Sequence, residues 1–433
     1  MALLAALLSV ILIEEPIGGA PGPEALPASP RGVVGAEKTK TSPSTTSTST
    51  AVPGPTPTAP TPATTPTSLP PKSVAAVTTP EPVLAPTGLV GASRGKFVLN
   101  GQPYRFVGVN AYEIATEWGV NAGCGPQLSD AQLDQVFAAL PPDSMVRFWA
   151  FQGTMATNVT TRQIDWAPLD RVFAAAARYH QRLIPVLAGE SGSCDSGHWA
   201  DVSWYDGGFM DVFNAGGMTP LSYWDYLQAI VNRYKDSPAL GMWEPMSEAE
   251  SSTCPAQFEP DNCNGNQTCP DEQAAAQALR HFFDVVGGEI HALDPQHLVE
   301  AGLLGSGQCG AVWNDYSYVG ASPGIDVLSY HDYGAPDTPI PGDQWNGLAF
   351  RIAQAAGLGK PIIIGEEGIN AGTTCLSDSQ RAVDLSADVR GQLAAGTSGV
   401  LLWDWMPNVS GPCSYDIAPG DPTIGMVANL SPG

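Results

Sequence analysis

KPIIIGEEG, residues 360–368, sets three isoleucines between a proline and a glycine and follows them at once with two carboxylates. A short β-branched run bounded in this way reads as a buried strand, with polar residues beginning where the strand ends. Seven runs of the same kind accompany it, at 104–109, 145–149, 183–187, 239–243, 298–303, 325–330 and 400–403. Segments of helical period lie between them: SDAQLDQVFAAL with Ser129 as its N-cap, PLDRVFAAAARYH, SYWDYLQAIVNRYK, DEQAAAQALRHFFDVVGGEIHAL, NGLAFRIAQAAG and SDSQRAVDLSADVRGQLAAG. Only the connection from the fifth run to the sixth lacks a clear helix. Eight strands alternating with helices over about 340 residues predict an α/β fold of the (β/α)8 TIM barrel type. Upstream, KFVLNGQP reads as a hairpin turning at Asn100-Gly101, placed to plug the bottom of the barrel.

The rest of the chain has a different character. None of its 11 Trp, 12 Tyr and 12 Phe precedes Phe97, and 17 of its 40 Pro fall in the first 90 residues. Such a segment cannot bury enough apolar surface to offset its ordering entropy. The expected organisation is a signal-like apolar N-terminus over 1–30, without the basic residues that usually open one, a disordered Pro/Thr/Ser-rich linker over 31–90, and a catalytic domain over 91–433. With 43 acidic residues against 19 basic ones the net charge is −24, which argues against nucleic acid or anionic membrane as partners. No apolar run reaches the ~18 residues of a membrane span.

The eight cysteines, 124, 194, 254, 263, 269, 309, 375 and 413, all follow the linker. In an exported chain they read as disulfides: Cys375 with Cys413, Cys254 with Cys263 or Cys269, and Cys124 with Cys194. Without a CxxC pair or a nearby His, Cys254, Cys263 and Cys269 do not suggest zinc, and no cofactor is expected. The expected location is secreted or at the cell surface or wall, as a monomer.

In such a barrel, catalytic groups lie at the C-terminal ends of the strands. Those ends carry Asn110 and Tyr112, Arg147 and Trp149, Glu244 and Glu248, Tyr330, His331 and Tyr333, Glu366, and Trp403 and Trp405. Two carboxylates facing each other across a mouth with aromatic platforms and few cations suit glycoside hydrolysis, one protonating the leaving oxygen and the other attacking the anomeric carbon. Glu244 reads as a structural carboxylate beneath the mouth, Glu250 as a loop charge, and Trp403 is preferred to Trp405 as a sugar platform.

WEPMSEAE at 243–250 resembles the W-E-x-x-N-E-P signature of retaining β-glycanases of glycoside hydrolase family 5, and KPIIIGEEG resembles that family's strand-seven motif. GQPYRFVGVNAY, VRFWAF, YHDY and LLWDW fit the remaining strand ends, and the first two look most like the family's endo-β-1,4-mannanases. The resemblance implies double displacement on a β-linked polysaccharide or oligosaccharide, β-1,4-mannan first, with Glu248 as acid/base and Glu366 as nucleophile. It also implies Arg147 as the partner that holds the nucleophile ionised, and His331 and Tyr333 as groups bracketing the reacting centre. Asn110, Trp149, Trp403 and Ser247 complete the expected substrate-binding set. Ser247 stands where the family has Asn, and Ala249 where it has Pro. The Asn binds the sugar 2-hydroxyl, so a serine of shorter reach leaves open an endo-β-glucanase, an exo-β-glycosidase, or a carbohydrate-binding or cell-wall protein with weakened turnover.

Overall fold

The computed structural model describes residues 88–115, 128–158, 163–212, 219–255, 263 and 266–430. The signal-like N-terminus and nearly all of the expected linker lie outside them, as does Cys124. Eight short parallel strands form the framework: β1 (Phe106–Asn110), β2 (Met145–Trp149), β3 (Arg182–Val186), β4 (Met242–Trp243), β5 (Leu298–Val299), β6 (Leu328–Asp332), β7 (Ile362–Glu367) and β8 (Gly399–Leu402). Each falls on one of the eight runs. Six of them make one sheet in the order β6-β7-β8-β1-β2-β3, and β4 pairs with β5. Single parallel bridges join Leu183 to Leu240, Val186 to Glu244, and Glu300 to Val327, so the ladder runs round from β3 through β4 and β5 to β6 and closes a TIM barrel. The fourth and fifth runs yield two-residue strands, which pair with each other over those two residues and join β3 and β6 through isolated bridges.

Helix starts follow the sequence chemistry. Ser129 caps the helix Asp130–Ala138 by accepting from Gln132 N–H, while the Gln132 side chain returns to the Ser129 backbone in a capping box. Ser222, Asp271 and Ser377 cap three later helices, each side chain accepting from the N–H three residues on. The connection from β5 to β6, which had no clear helical signal, holds a six-residue helix, Asp315–Gly320, whose N-cap makes no side-chain bond. That length gives the pattern too few turns to show a period.

The expected hairpin is present, with Lys96–Leu99 antiparallel to Gln102–Tyr104 and φ of 53° and 76° at Asn100 and Gly101. Positive φ at both turn positions is what Asn-Gly supplies cheaply. Val90–Ser93 adds a third strand. Val90 and Phe97 close the barrel floor against Phe106, Met145, Ile184, Met242, Val327, Ile363 and Leu401, contributed by seven of the eight strands or the residues leading into them. Burying each such side chain is worth ~1.5–3 kcal/mol.

Cys375 bonds Cys413 with Cα atoms 5.7 Å apart, joining the loops after β7 and β8 as expected. Cys254 takes Cys263, and Cys269 bonds Cys309 from the β5 loop. The expected Cys124–Cys194 pair involves a residue outside those described. Among the described residues, no helix is long and apolar enough to cross a membrane.

Candidate active site

Arg147 lies at the centre of the mouth. It is 1% exposed, one strand period above Met145 of the floor, so both point into the barrel. Its guanidinium grips Glu244 with two bonds of 2.6 Å, and donates to Asn110 Oδ1 at 2.9 Å, Glu366 Oε1 at 2.8 Å and Ser247 Oγ at 2.9 Å. Burial works against the cation, but Glu244, Glu366 and Glu300 outweigh it and hold Arg147 charged. Asn110 Nδ2 donates to Gly365 O at 2.9 Å, tying β1 to β7 just before Glu366.

Glu366 owes its direction to a register shift. β7 pairs residue by residue with β6 up to Tyr330 and Ile364, then skips one, so that His331 stands opposite Glu366. An irregularity of this kind at a strand end re-aims a side chain. Gly365 makes room for the result, since a Cβ there would sit 2.8 Å from His331 Nε2. Tyr333 donates its hydroxyl to Glu366 Oε2. Burial, then the charges of Glu366 and Glu248, push the Tyr333 phenol well above its ordinary range, which keeps it a donor.

Glu248 occupies left-handed backbone, with φ of 53°. For a non-glycine residue this costs ~1–2 kcal/mol, and the flanking residues enforce it. Ser247 N–H donates to Ala188 O at 2.8 Å and Ala249 N–H to Gly302 O at 3.2 Å, one toward β3 and the other toward β5. His331 Nδ1 lies 3.1 Å from Glu248 Oε1 and 3.6 Å from Glu366 Oε2. A ligand atom from each of Glu248, His331 and Glu366 falls within 4.8 Å of the others.

A carboxylate missed in the sequence and an aromatic wall around the strand-end Tyr112 complete the arrangement. Glu300, at the end of β5, is 1% exposed. Burial first, and Glu244 second, raise its carboxyl well above the usual range, and its side chain hydrogen-bonds that of Glu244. No motif marks it, since it follows LV in an unremarkable run. Tyr112 stacks on Trp403 at 5.1 Å with planes 4° apart and meets Trp149 at 4.4 Å. Phe151 stacks on Trp149 at 5.0 Å. Trp403 is partly exposed in this wall, whereas Trp405 is 2% exposed in the core. Trp149 Nε1 and His331 Nε2 have no hydrogen-bond partner in the protein. The mouth thus brings Asn110, Arg147, Ser247, Glu248, His331, Tyr333 and Glu366 into one network, and Trp149 and Trp403 into one aromatic wall.

No family model matches the chain. It is 26% identical over 347 residues to a probable mannan endo-1,4-beta-mannosidase F of Aspergillus flavus, covering 73% of this chain and 66% of that one, and so spans just under two thirds of that relative's length. With the mannan endo-1,4-beta-mannosidase F of Aspergillus fumigatus the identity is 25% over 380 residues, with 79% and 76% covered. Among solved structures, the endo-1,4-beta-mannanase of Rhizomucor miehei superposes with a TM-score of 0.56 at 20% identity, covering 79% of this chain and 98% of that one. A glycoside hydrolase family 5 mannosidase from the same organism gives 0.53 at 17% identity, with 80% and 97% covered. In sequence and fold together, the chain is similar to the endo-β-1,4-mannanases of glycoside hydrolase family 5.

Proposed function

We propose that the protein is an exported retaining β-glycoside hydrolase that cleaves β-1,4-mannan. Glu366, ionised beside Arg147, attacks the anomeric carbon while Glu248 protonates the departing oxygen. Glu248 then takes a proton from water as that water releases the sugar from Glu366. The observation that carries the reading is the proximity of the two carboxylates: oxygens within 4.8 Å match the ~5–5.5 Å spacing of a nucleophile and acid/base pair rather than the ~6.5–9.5 Å that leaves room for an attacking water.

The remaining residues have work in this scheme. Tyr333 and Arg147 each hold one oxygen of Glu366 and so fix its angle of attack. Trp403 and Trp149 offer flat apolar faces to sugar rings. Arg147 occupies one lone pair of Ser247 Oγ, which leaves the Ser247 O–H to donate to the sugar 2-hydroxyl. An uncharged polysaccharide is also a fitting partner for a surface of net charge −24.

Hydrolysis of mannan and of defined manno-oligosaccharides, followed by proton NMR of the first-formed product, tests the reading. The expected product keeps the β configuration, and Glu366→Ala lowers kcat roughly 10³-fold or more. An inverted product rules out the retaining mechanism. Binding of mannan by a wild-type protein that turns over no β-glycan, and that Glu366→Ala does not change, moves the assignment to a carbohydrate-binding protein.

A further inference from the structure

His331 and Glu366 face into the barrel, so the next residue on each strand, Asp332 and Glu367, faces out toward the helices. The register shift leaves these two directly opposite each other, and both are buried. Behind them lies the helix Asp378–Ala395. Its Gln392 Nε2 donates to Asp332 Oδ2 at 3.1 Å and to Glu367 Oε2 at 2.5 Å. Gly334 N–H donates to Asp332 Oδ1 at 2.9 Å, and Gly368 N–H to Asp332 O at 3.0 Å.

Two buried carboxylates in register repel each other, and no cation among the described residues forms an ion pair with either. Instead, the two side chains hydrogen-bond each other. An ionised carboxylate is an acceptor only, so such a bond needs a proton on one of the two. Both oxygens of Asp332 already accept from N–H groups, which leaves Glu367 as the donor, through the oxygen that Gln392 does not occupy. The surroundings favour this state. Burial raises both carboxyls, Asp332 to about 6 and Glu367, with the charge of Asp332 added, well above the ordinary range. Asp388 faces the pair from the helix, and Asp337 and Asp384 face Asp388. Tyr330 lies beside both carboxyls, with Arg351 and Asp343 near its hydroxyl.

We propose that Asp332 and Glu367 are positioning residues for the nucleophile: the proton between them clamps β6 to β7 one residue beyond His331 and Glu366, and so preserves the register step that aims Glu366. Release of that proton to solvent sets two buried carboxylates against each other and parts the strand ends. A displacement of about 1 Å at a reacting group costs up to about 10²-fold in rate. The inference rests on Glu366 being the nucleophile.

The pH profile of kcat/KM on dinitrophenyl β-mannobioside tests it, because that leaving group needs no protonation and Glu248 does not shape the alkaline side. In the wild type, kcat/KM should fall about 10- to 100-fold from pH 6 to pH 9. Glu367→Gln puts an amide N–H, which does not ionise, in place of the carboxyl O–H. Its kcat/KM at pH 6 should stay within a fewfold of wild type, and the alkaline fall should vanish. If that variant does not fold, Asp332→Asn, whose amide donates to an ionised Glu367, should flatten the profile in the same way. A flat wild-type profile, or an alkaline fall in the folded variant equal to that of wild type, overturns the clamp and leaves the hydrolase reading intact. A wild type that hydrolyses neither mannan nor the aryl mannobioside at any pH overturns the hydrolase reading, and the clamp with it.

Discussion

The floor and the mouth of this barrel are built from the same strands, one or two strand periods apart, and could hardly differ more. On β2 the inward step is from Met145 to Arg147, on β1 from Phe106 to Asn110, and on β8 from Leu401 to Trp403. Below, apolar side chains pack with no polar group to satisfy. Above, one cation, three glutamates and an asparagine are buried together, at a desolvation cost that close pairing only partly recovers. The floor therefore supplies stability, and the mouth spends some of it to hold charges in a fixed geometry. Glu248 in left-handed backbone and the raised carboxyl of buried Glu300 are the local signs of that expenditure.

If this division holds, substitutions in the two regions separate by what they change. The largest effect belongs to Glu248→Gln, which should slow hydrolysis of unactivated mannan by about 10²–10⁴-fold. It should spare the first step on substrates with activated leaving groups, which need no protonation; equal losses on both, in pre-steady-state assays, would argue against an acid role. At the floor, Phe97→Ala should cost ~3–5 kcal/mol in denaturant unfolding while the kcat of the folded fraction stays within a fewfold. A large fall in kcat with little loss of stability would erase the distinction between floor and mouth.

The mouth should also show in the pH dependence of stability. Burial raises Asp195, in the loop after β3, to about 7, opposed only in part by the Gly153 N–H that donates to it at 3.0 Å. Tyr223, Tyr226 and the rim residue His198 share its surroundings. A carboxyl with a raised folded pKa contributes stability fully below its unfolded value of about 4, and that contribution is lost as the pH rises to about 7. Denaturant unfolding should therefore find the protein more stable at pH 5 than at pH 8, by an amount on the order of a few kcal/mol, and Asp195→Asn should flatten the difference. A wild-type profile that rises over this range would show that other groups dominate.

The smallest effect is expected at Ser247. Losing one neutral hydrogen bond in the transition state should lower kcat by about 2- to 10-fold in Ser247→Ala, with KM little changed. A pure KM effect would mean that the hydroxyl acts in ground-state binding only. A gain in Ser247→Asn on mannan would mark the serine as a weakness, and no gain alongside good wild-type turnover would mark it as fitted to its sugar.

The amino-acid sequence by itself determined the order and approximate limits of the eight strands, the helix cap at Ser129, the Asn100-Gly101 turn and which polar residues end which strand. These are local properties: a β-branched run, a hydroxyl three residues before a free N–H, or a carboxylate after the last isoleucine can each be read without knowing what lies opposite. Only the tertiary structure decided the five bonds of Arg147, the hydrogen bond between Glu244 and Glu300, the stacking of Tyr112 on Trp403, and the choice of Cys263 rather than Cys269 as the partner of Cys254. Arg147 meets Glu244 across 97 residues and Glu366 across 219. No periodicity reports such distances. They are set by ring closure, which brings eight strand ends to one mouth, and by the cost of burying a charge, which forces whatever meets there to pair.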